Sequence, residues 1–265
     1  MLLPIATALV AWWASTGALL WLIGRAPNTF RWSALGLTVL AAIATSMVAV
    51  LRDLNGPNGA YLGFATGLAL WAWHEGLFLL GYVSGPRRTR CPEGLPTWRR
   101  FLVSAETVIH HEIAIACHAM IILMLSWQAS NQVAAWTFLL LWGMRLNAKL
   151  VVFLGAPNLS EDFLPRHLTY LSSYFGQRRV TMFFPLFITL ATSAATLVTY
   201  GAMTADTGSG LATGLWLLSG LAWLAVFEHW AMVLPIQDSA LWRWALPSPP
   251  PLSPDTTQDT TRRAT

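Results

Sequence analysis

Three short motifs place histidine beside glutamate within runs of apolar residues. They are HE at residues 74–75, HHE at residues 110–112 and EH at residues 228–229. Imidazole and carboxylate groups are ligands for transition metals, and an imidazole can also be the axial ligand of a haem-type macrocycle. Because ionisable groups are costly inside a bilayer, these side chains are expected to face the interior of a helix bundle. The motifs therefore predict a buried polar site between helices.

The composition of the chain is that of an integral membrane protein. Hydrophobic residues make up 55% of its 265 residues, charged residues make up 11%, and the mean hydropathy is +0.52. A soluble domain of this length needs a more polar surface. Seven apolar stretches have about 20 residues, the length that crosses the hydrocarbon core as a helix. These predicted spans lie near residues 3–23, 32–51, 60–82, 101–126, 133–154, 180–201 and 210–234.

The arginines predict the orientation of this all-α, polytopic membrane bundle. Only Arg52 lies in the predicted loops of one side. By the positive-inside rule the arginine-rich side is cytoplasmic, so the N-terminus is expected outside and the C-terminus in the cytoplasm. The basic balance indicates topology and contact with anionic membrane lipid, not binding of nucleic acid. The arginine-rich side holds Arg25, Arg31, Arg87, Arg88, Arg90, Arg99, Arg100, Arg166, Arg178, Arg179, Arg243, Arg262 and Arg263.

A single transmembrane domain is predicted over residues 1–246. The segment after it, residues 247–265, is rich in Pro, Ser, Thr and Asp and is expected to be a disordered cytoplasmic tail. Cys91 falls in a predicted loop and Cys117 within a predicted span, so no disulfide between them is expected.

The loop before the sixth predicted span contains the sequence LSEDFLPRHLTYLSSYF, residues 159–175. Its spaced Leu, Phe and Tyr residues predict a short helix on the membrane surface, with Ser160 as the N-cap. Glu161, Asp162 and His167 lie on the same side as the polar site. The segment is either a lid over that site or a surface helix, and the surface helix is the interpretation we prefer from sequence.

Helical geometry places the polar groups of four spans at similar depths. At about 1.5 Å rise per residue, these groups lie roughly 8–17 Å from the cytoplasmic ends of their spans. His118 is about two turns farther toward the outside, although it shares a helix face with His111. Glu106 is predicted in the first turn of the fourth span and outside the site. The predicted layer comprises His74, Glu75, His110, His111, Glu112, Arg145, Lys149, Glu228 and His229.

Three interpretations of this layer remain open. The first is a structural network in which charges pair and hold helices together. The second is an iron or manganese site, although di-iron bundles characteristically use Glu-x-x-His, whereas these motifs are adjacent pairs. The third is a pigment or haem pocket with Trp-rich walls. The candidate metal ligands are Glu75, His111, Glu112, Glu228 and His229, and the candidate cofactor-binding residues are His74, His110, His111, His229, Arg145 and Lys149.

Four motifs resemble a known family. They are GYVSGPRRTRCPEG, HHEIAIA, NQVAAWTFLLLWGMRLNAKLVVFLGAPNLSEDFLPRHLTYLSSYF and FEHWAMVLPIQDSALWRWAL. The chain resembles the PuhE family, the photosynthetic complex assembly protein 2 of purple bacteria, over approximately residues 60–246. The resemblance implies a multi-pass protein of the bacterial cytoplasmic (inner or intracytoplasmic) membrane. It also implies reaction-centre or antenna subunits and other assembly factors as partners.

Two functions of different class follow. In the first, the protein assists assembly of the reaction-centre and core-antenna complex, through binding of bacteriochlorophyll or steadying of a nascent subunit. In the second, the layer holds one or two metal ions and the protein is an oxidoreductase acting on a tetrapyrrole or an isoprenoid lipid. Whether the chain is an enzyme stays open on its sequence.

Overall fold

The computed structural model describes residues 1–159, 164–234, 241–242 and 244–245. Within these ranges the chain is helical, with turns and no β-strand. The predicted tail, and Ser160, Glu161 and Asp162 of the fifth loop, lie outside the described residues. The α-helices are α1 (Leu2–Ile23), α2 (Phe30–Val50), α3 (Pro57–Leu79), α4 (Thr97–Ala105), α5 (Ile109–Leu125), α6 (Val133–Leu154), α7 (Phe184–Thr204) and α8 (Gly210–Ala231).

The connections between the long helices collect at two opposite ends. At one end the His167 ring lies 6.0 Å from the Phe30 ring, between centroids, and its Nε2 lies 3.0 Å from the Leu79 carbonyl oxygen. These contacts join the connections that follow α1, α3 and α6. At the other end Arg52 donates a hydrogen bond to the Trp127 carbonyl oxygen at 3.2 Å. The arginine-rich predicted loops therefore share one end, called the basic end below.

Helix α3 is central in the bundle. It packs against α1, α2, α6 and α8, and about half of its residues are buried. Gly67 permits a close approach of α6, because a Cβ at this position would lie 2.7 Å from the Thr137 Cβ. A helix surrounded by protein can carry polar groups that a lipid-facing helix cannot.

Five described helices are long and apolar enough to cross a membrane, and the number is six if the bent pair α4 and α5 forms one span. The five are α1, α2, α6, α7 and α8, with α2 counted from Pro27. Helix α3 has 23 residues but is not in this set. The fold is therefore compatible with a multi-pass membrane protein, while the total of seven spans and the orientation stay predictions.

The prediction of one continuous helix over residues 101–126 is wrong. Helices α4 and α5 are separated by a short break and meet at 62°. The segment after α3 stabilises this break, because Arg87 pairs with Glu106 at 2.7 Å and the His111 amide donates to the Ser84 carbonyl at 2.9 Å. Glu106 thus lies at the C-terminal end of α4, not in the first turn of a span. The HHE motif is instead in the first turn of α5.

A compact cap covers the basic end. It contains the connection 80–96 and a 3-10 helix, Arg166–Tyr174, in which Leu168, Leu171 and Tyr174 are buried. Arg100 of α4 fixes this cap by donating to the carbonyl oxygens of Phe153, Tyr174 and Phe175. The segment is helical, as predicted, but it packs onto the protein instead of lying only on the membrane.

Candidate functional site

Seven ionisable side chains from α3, α5 and α6 meet beneath the cap. We call this group the buried polar cluster. The side chains come from one to three turns of each helix, and they contact one another across the interfaces between helices. Its members are His74 and Glu75 from α3, His111, Glu112 and His118 from α5, and Arg145 and Lys149 from α6.

A chain of hydrogen bonds joins α2, α5 and α3. The Thr45 hydroxyl donates to the Ala41 carbonyl at 2.8 Å and lies 3.0 Å from His118 Nε2. With the Thr45 proton directed at Ala41, a neutral His118 that carries its proton on Nε2 satisfies both contacts, since Nε2 then donates to Thr45. His118 Nδ1 lies 2.9 Å from His74 Nε2 and accepts from it in this arrangement.

Two ion pairs connect α6 to the other helices. Arg145 donates to Glu75 Oε2 at 3.2 Å. Lys149 lies 2.5 Å from Glu112 Oε1, and Trp142 donates its indole N–H to Glu112 Oε2 at 3.0 Å. Two carboxylates and two cations therefore balance in charge. Glu112 also lies in the first turn of α5, where the helix dipole favours a negative charge.

His111 is the most deeply buried member of the cluster, with 0% of its side chain exposed. Neither ring nitrogen has a hydrogen-bond partner among the described residues, and Glu75 Oε1 lacks one as well. The two groups face each other, with His111 Nε2 at 3.7 Å from Glu75 Oε1. The Phe78 ring covers His111 at 4.8 Å between centroids. A buried polar atom without a partner costs about 1–3 kcal/mol, so the approach of His111 to Glu75 matters for the stability of the site.

The cap closes the cluster from the basic end. Phe78, which covers His111, packs with Leu168 and Leu171 of the 3-10 helix. Ser84 and Tyr170 contribute buried hydroxyls that form no hydrogen bond among the described residues. Burial raises the pKa of Tyr170, so the phenol stays protonated at neutral pH. The 3-10 helix therefore packs over Phe78, as the lid interpretation requires.

The contacts that define the cluster do not include three other predicted site residues. His110 is adjacent to His111 but exposed, because consecutive helical residues point about 100° apart. Glu228 and His229 are on α8, and His229 Nδ1 bonds its own helix at the Ala225 carbonyl, 2.6 Å away. The Nε2 atom of His229 is buried without a partner among the described residues.

Sequence reasoning excluded His118 and did not identify Thr45 or Trp142. The signal for His118 was present, since it follows His111 by seven residues and so shares its helix face. The predicted depth of His118 did not match that of His74, because the depth was counted from a span that begins near residue 101. Helix α5 begins only at Ile109, so His118 lies closer to the basic end than predicted. Nothing in the sequence around Thr45 or Trp142 indicates that these side chains contact the site.

The geometry limits what the cluster can bind. Among the described residues, no three His, Cys, Asp or Glu side chains form a group that could hold a metal ion. Both Glu112 oxygens are already hydrogen-bonded. A macrocycle needs open space beside its axial ligand, and the fully buried His111 ring does not offer it. The cluster is suited to joining helices and to holding or passing a proton, as intramembrane His and Glu chains do.

Comparisons with known proteins identify relatives along nearly the whole chain. The model of a family described as "Protein of unknown function (DUF3623)" matches residues 1–252. A protein of Rhodobacter capsulatus, described as "Uncharacterized 30.4 kDa protein in puhA 5'region", is 38% identical over 247 residues. That alignment covers 91% of this chain and 89% of the relative. No solved structure matches.

Proposed function

The chain belongs to the DUF3623 family, and from this premise we propose that it assists assembly of the photosynthetic reaction-centre and core-antenna complex. The observation that carries the proposal is the full-length relative located in the puhA 5′ region. The shared puh designation agrees with the four motifs that resemble the PuhE family. The protein would act in the bacterial cytoplasmic membrane, on reaction-centre or antenna subunits and beside other assembly factors.

In this proposal the buried polar cluster has a positioning role. Helix α5 makes fewer close approaches to the bundle than α3 or α8, and its His111, Glu112 and His118 side chains connect it to α2, α3 and α6. The outward face of α5 is apolar and exposed. The cluster therefore holds this face in place for contact with a nascent subunit.

Bacteriochlorophyll handling is a finer form of the same proposal. An imidazole can be the axial ligand of a tetrapyrrole metal, but only if its nitrogen is accessible. His74, His111 and His229 are buried, whereas His110 is exposed near one end of α5. A pigment that passes along α5 would therefore use His110 and not the cluster.

Adjacent histidines give a matched test. In a phototrophic host that lacks its own copy, His110→Ala should leave the amount of this protein unchanged, and it should lower reaction-centre levels if pigment is handled there. His111→Ala removes a fully buried ring and should lower the amount of folded protein itself. Complex levels come from the near-infrared absorption of membranes, and protein levels from immunoblots. If both variants support normal complex levels at normal protein amounts, neither histidine takes part in assembly.

The metal-dependent oxidoreductase remains a prediction with less support. Glu75 and His111 could supply two ligands, but the described residues provide no third. Metal analysis of the purified protein tests this alternative, with one or two equivalents of iron or manganese per chain as the result that would revive it.

A further inference from the structure

Helix α4 has one apolar face that the rest of the protein leaves uncovered. Trp98, Phe101, Leu102 and Ala105 follow the i, i+3, i+4, i+7 spacing of a single helix face. Trp98 is 67% exposed and Leu102 is 45% exposed. The helix has 9 residues, a length of about 14 Å, which is too short to cross a membrane. Its apolar face therefore needs a partner other than the bilayer core.

The opposite side of α4 is fixed to the protein. The Arg100 guanidinium donates to three backbone carbonyls and lies 4.7 Å from the Phe153 ring centroid. Phe101 lies at the edge of the apolar face and is partly covered, because its ring packs against Phe153 and stacks with Trp98, with 5.6 Å between the Phe101 and Trp98 centroids. These contacts prevent α4 from turning its apolar face inward.

Positive charge predominates at the basic end, where this face lies. Arg99 lies on the flank of α4, about 100° from Trp98, and is exposed. Other exposed arginines occupy the same end of the bundle, whereas the nearby Glu106 is already paired with Arg87. The exposed arginines of the basic end include Arg25, Arg31, Arg88, Arg90, Arg166, Arg178 and Arg179.

We propose that α4 lies in the plane of the membrane interface and binds anionic phospholipid. An amphipathic helix with Trp and Leu on one face and Arg on the flank inserts its apolar face about 5–10 Å into the boundary between headgroups and acyl chains. Trp98 suits this depth, since its ring is apolar and its N–H is polar. The 62° bend between α4 and α5 provides the change of direction from the interface into the bundle. This inference does not depend on the assembly role.

Spin labels on the full-length protein test the position of α4. In a Cys91→Ser, Cys117→Ser background, Leu102→Cys carries the label on the apolar face. Thr97→Cys carries the control label at an exposed position about 140° from Leu102 around the helix. The protein is reconstituted into vesicles of phosphatidylcholine with and without phosphatidylglycerol. We expect the label at 102 to be accessible to oxygen and shielded from a water-soluble nickel chelate, with the reverse at 97. Equal exposure of both labels to the chelate would overturn the proposal.

A second measurement tests the preference for anionic lipid. Arg99→Gln should lower the enrichment of phosphatidylglycerol over phosphatidylcholine around the protein about fivefold, the effect of one basic side chain near an anionic surface. Arg52→Gln, at the opposite end, should leave the enrichment unchanged. The enrichment should also fall as salt is raised. Unchanged enrichment in Arg99→Gln would refute recognition of the anionic headgroup. Shielding of the label at 102 from both reagents would show that protein, and not lipid, covers the face.

Discussion

The ion pair between Glu75 and Arg145 should respond asymmetrically to loss of either partner. The Glu75 side chain is 8% exposed and that of Arg145 is 44% exposed. Arg145→Met preserves the aliphatic stem but leaves a carboxylate buried without its cation, which should destabilise the fold by about 3 kcal/mol. Glu75→Gln leaves behind a half-exposed guanidinium on a long, flexible stem, which can find another polar partner more easily than the buried carboxylate can, so its cost should be about 1 kcal/mol.

A double-mutant cycle measures this difference. The double variant Glu75→Gln, Arg145→Met removes both charges and should be about as stable as Glu75→Gln alone, giving a coupling of about 3 kcal/mol. Unfolding by titration with sodium dodecyl sulfate from mild-detergent micelles, followed by loss of helical circular dichroism, gives the free energies. The expected gap between the single variants is about 2 kcal/mol, or roughly thirtyfold in the unfolding equilibrium constant.

Equal costs for the two single variants, or a larger cost for Glu75→Gln, would refute this reasoning. Either result would mean that the buried Glu75 carboxylate does not depend on Arg145, and that His111 or another group balances its charge.

Three further predictions concern packing and hydrogen bonds, and the same unfolding assay measures the first two. Gly67→Ala places a methyl group against Thr137 and should cost about 1–3 kcal/mol, while the control Gly143→Ala, which meets open space, should cost nothing or stabilise α6 by up to about 1 kcal/mol. Thr45→Val removes the hydroxyl that receives an imidazole N–H and should cost about 1 kcal/mol; a neutral result would show that the chain from α2 to α3 adds no stability. Arg100→Met removes three hydrogen bonds and should expose the cap to limited proteolysis, so unchanged protease resistance would contradict the role assigned to this arginine.

The five helices that are long and apolar enough to cross a membrane could be predicted from sequence, because each occupies a predominantly apolar run of that length. The predicted span 210–234 corresponds to Gly210–Ala231, and 133–154 corresponds to Val133–Leu154. The bend between α4 and α5 could not be predicted, since neither Pro nor Gly marks the break at residues 106–108. Its cause is tertiary: the connection after α3 supplies the Ser84 carbonyl and the Arg87 guanidinium that stabilise the break.

Part of the candidate site could be predicted from sequence, because charged side chains inside a membrane need partners. The depth estimate placed Glu75, Glu112, Arg145 and Lys149 in one layer without assigning pairs. In the structure Glu75 pairs with Arg145, and Glu112 pairs with Lys149. The relative depth of α3 and α5 depends on where α5 begins, and an error there excluded His118. Angular position also decides which of two adjacent histidines faces inward, and only the packing distinguishes the buried His111 from the exposed His110.

Pulse labelling of photosynthetic subunits tests the assembly role most directly. A phototrophic strain that lacks this protein should synthesise reaction-centre and core-antenna subunits at the normal rate. The subunits should then fail to enter the mature complex and be degraded, and the wild-type protein should restore their assembly. Normal incorporation of labelled subunits into the complex in that strain would contradict the proposed function.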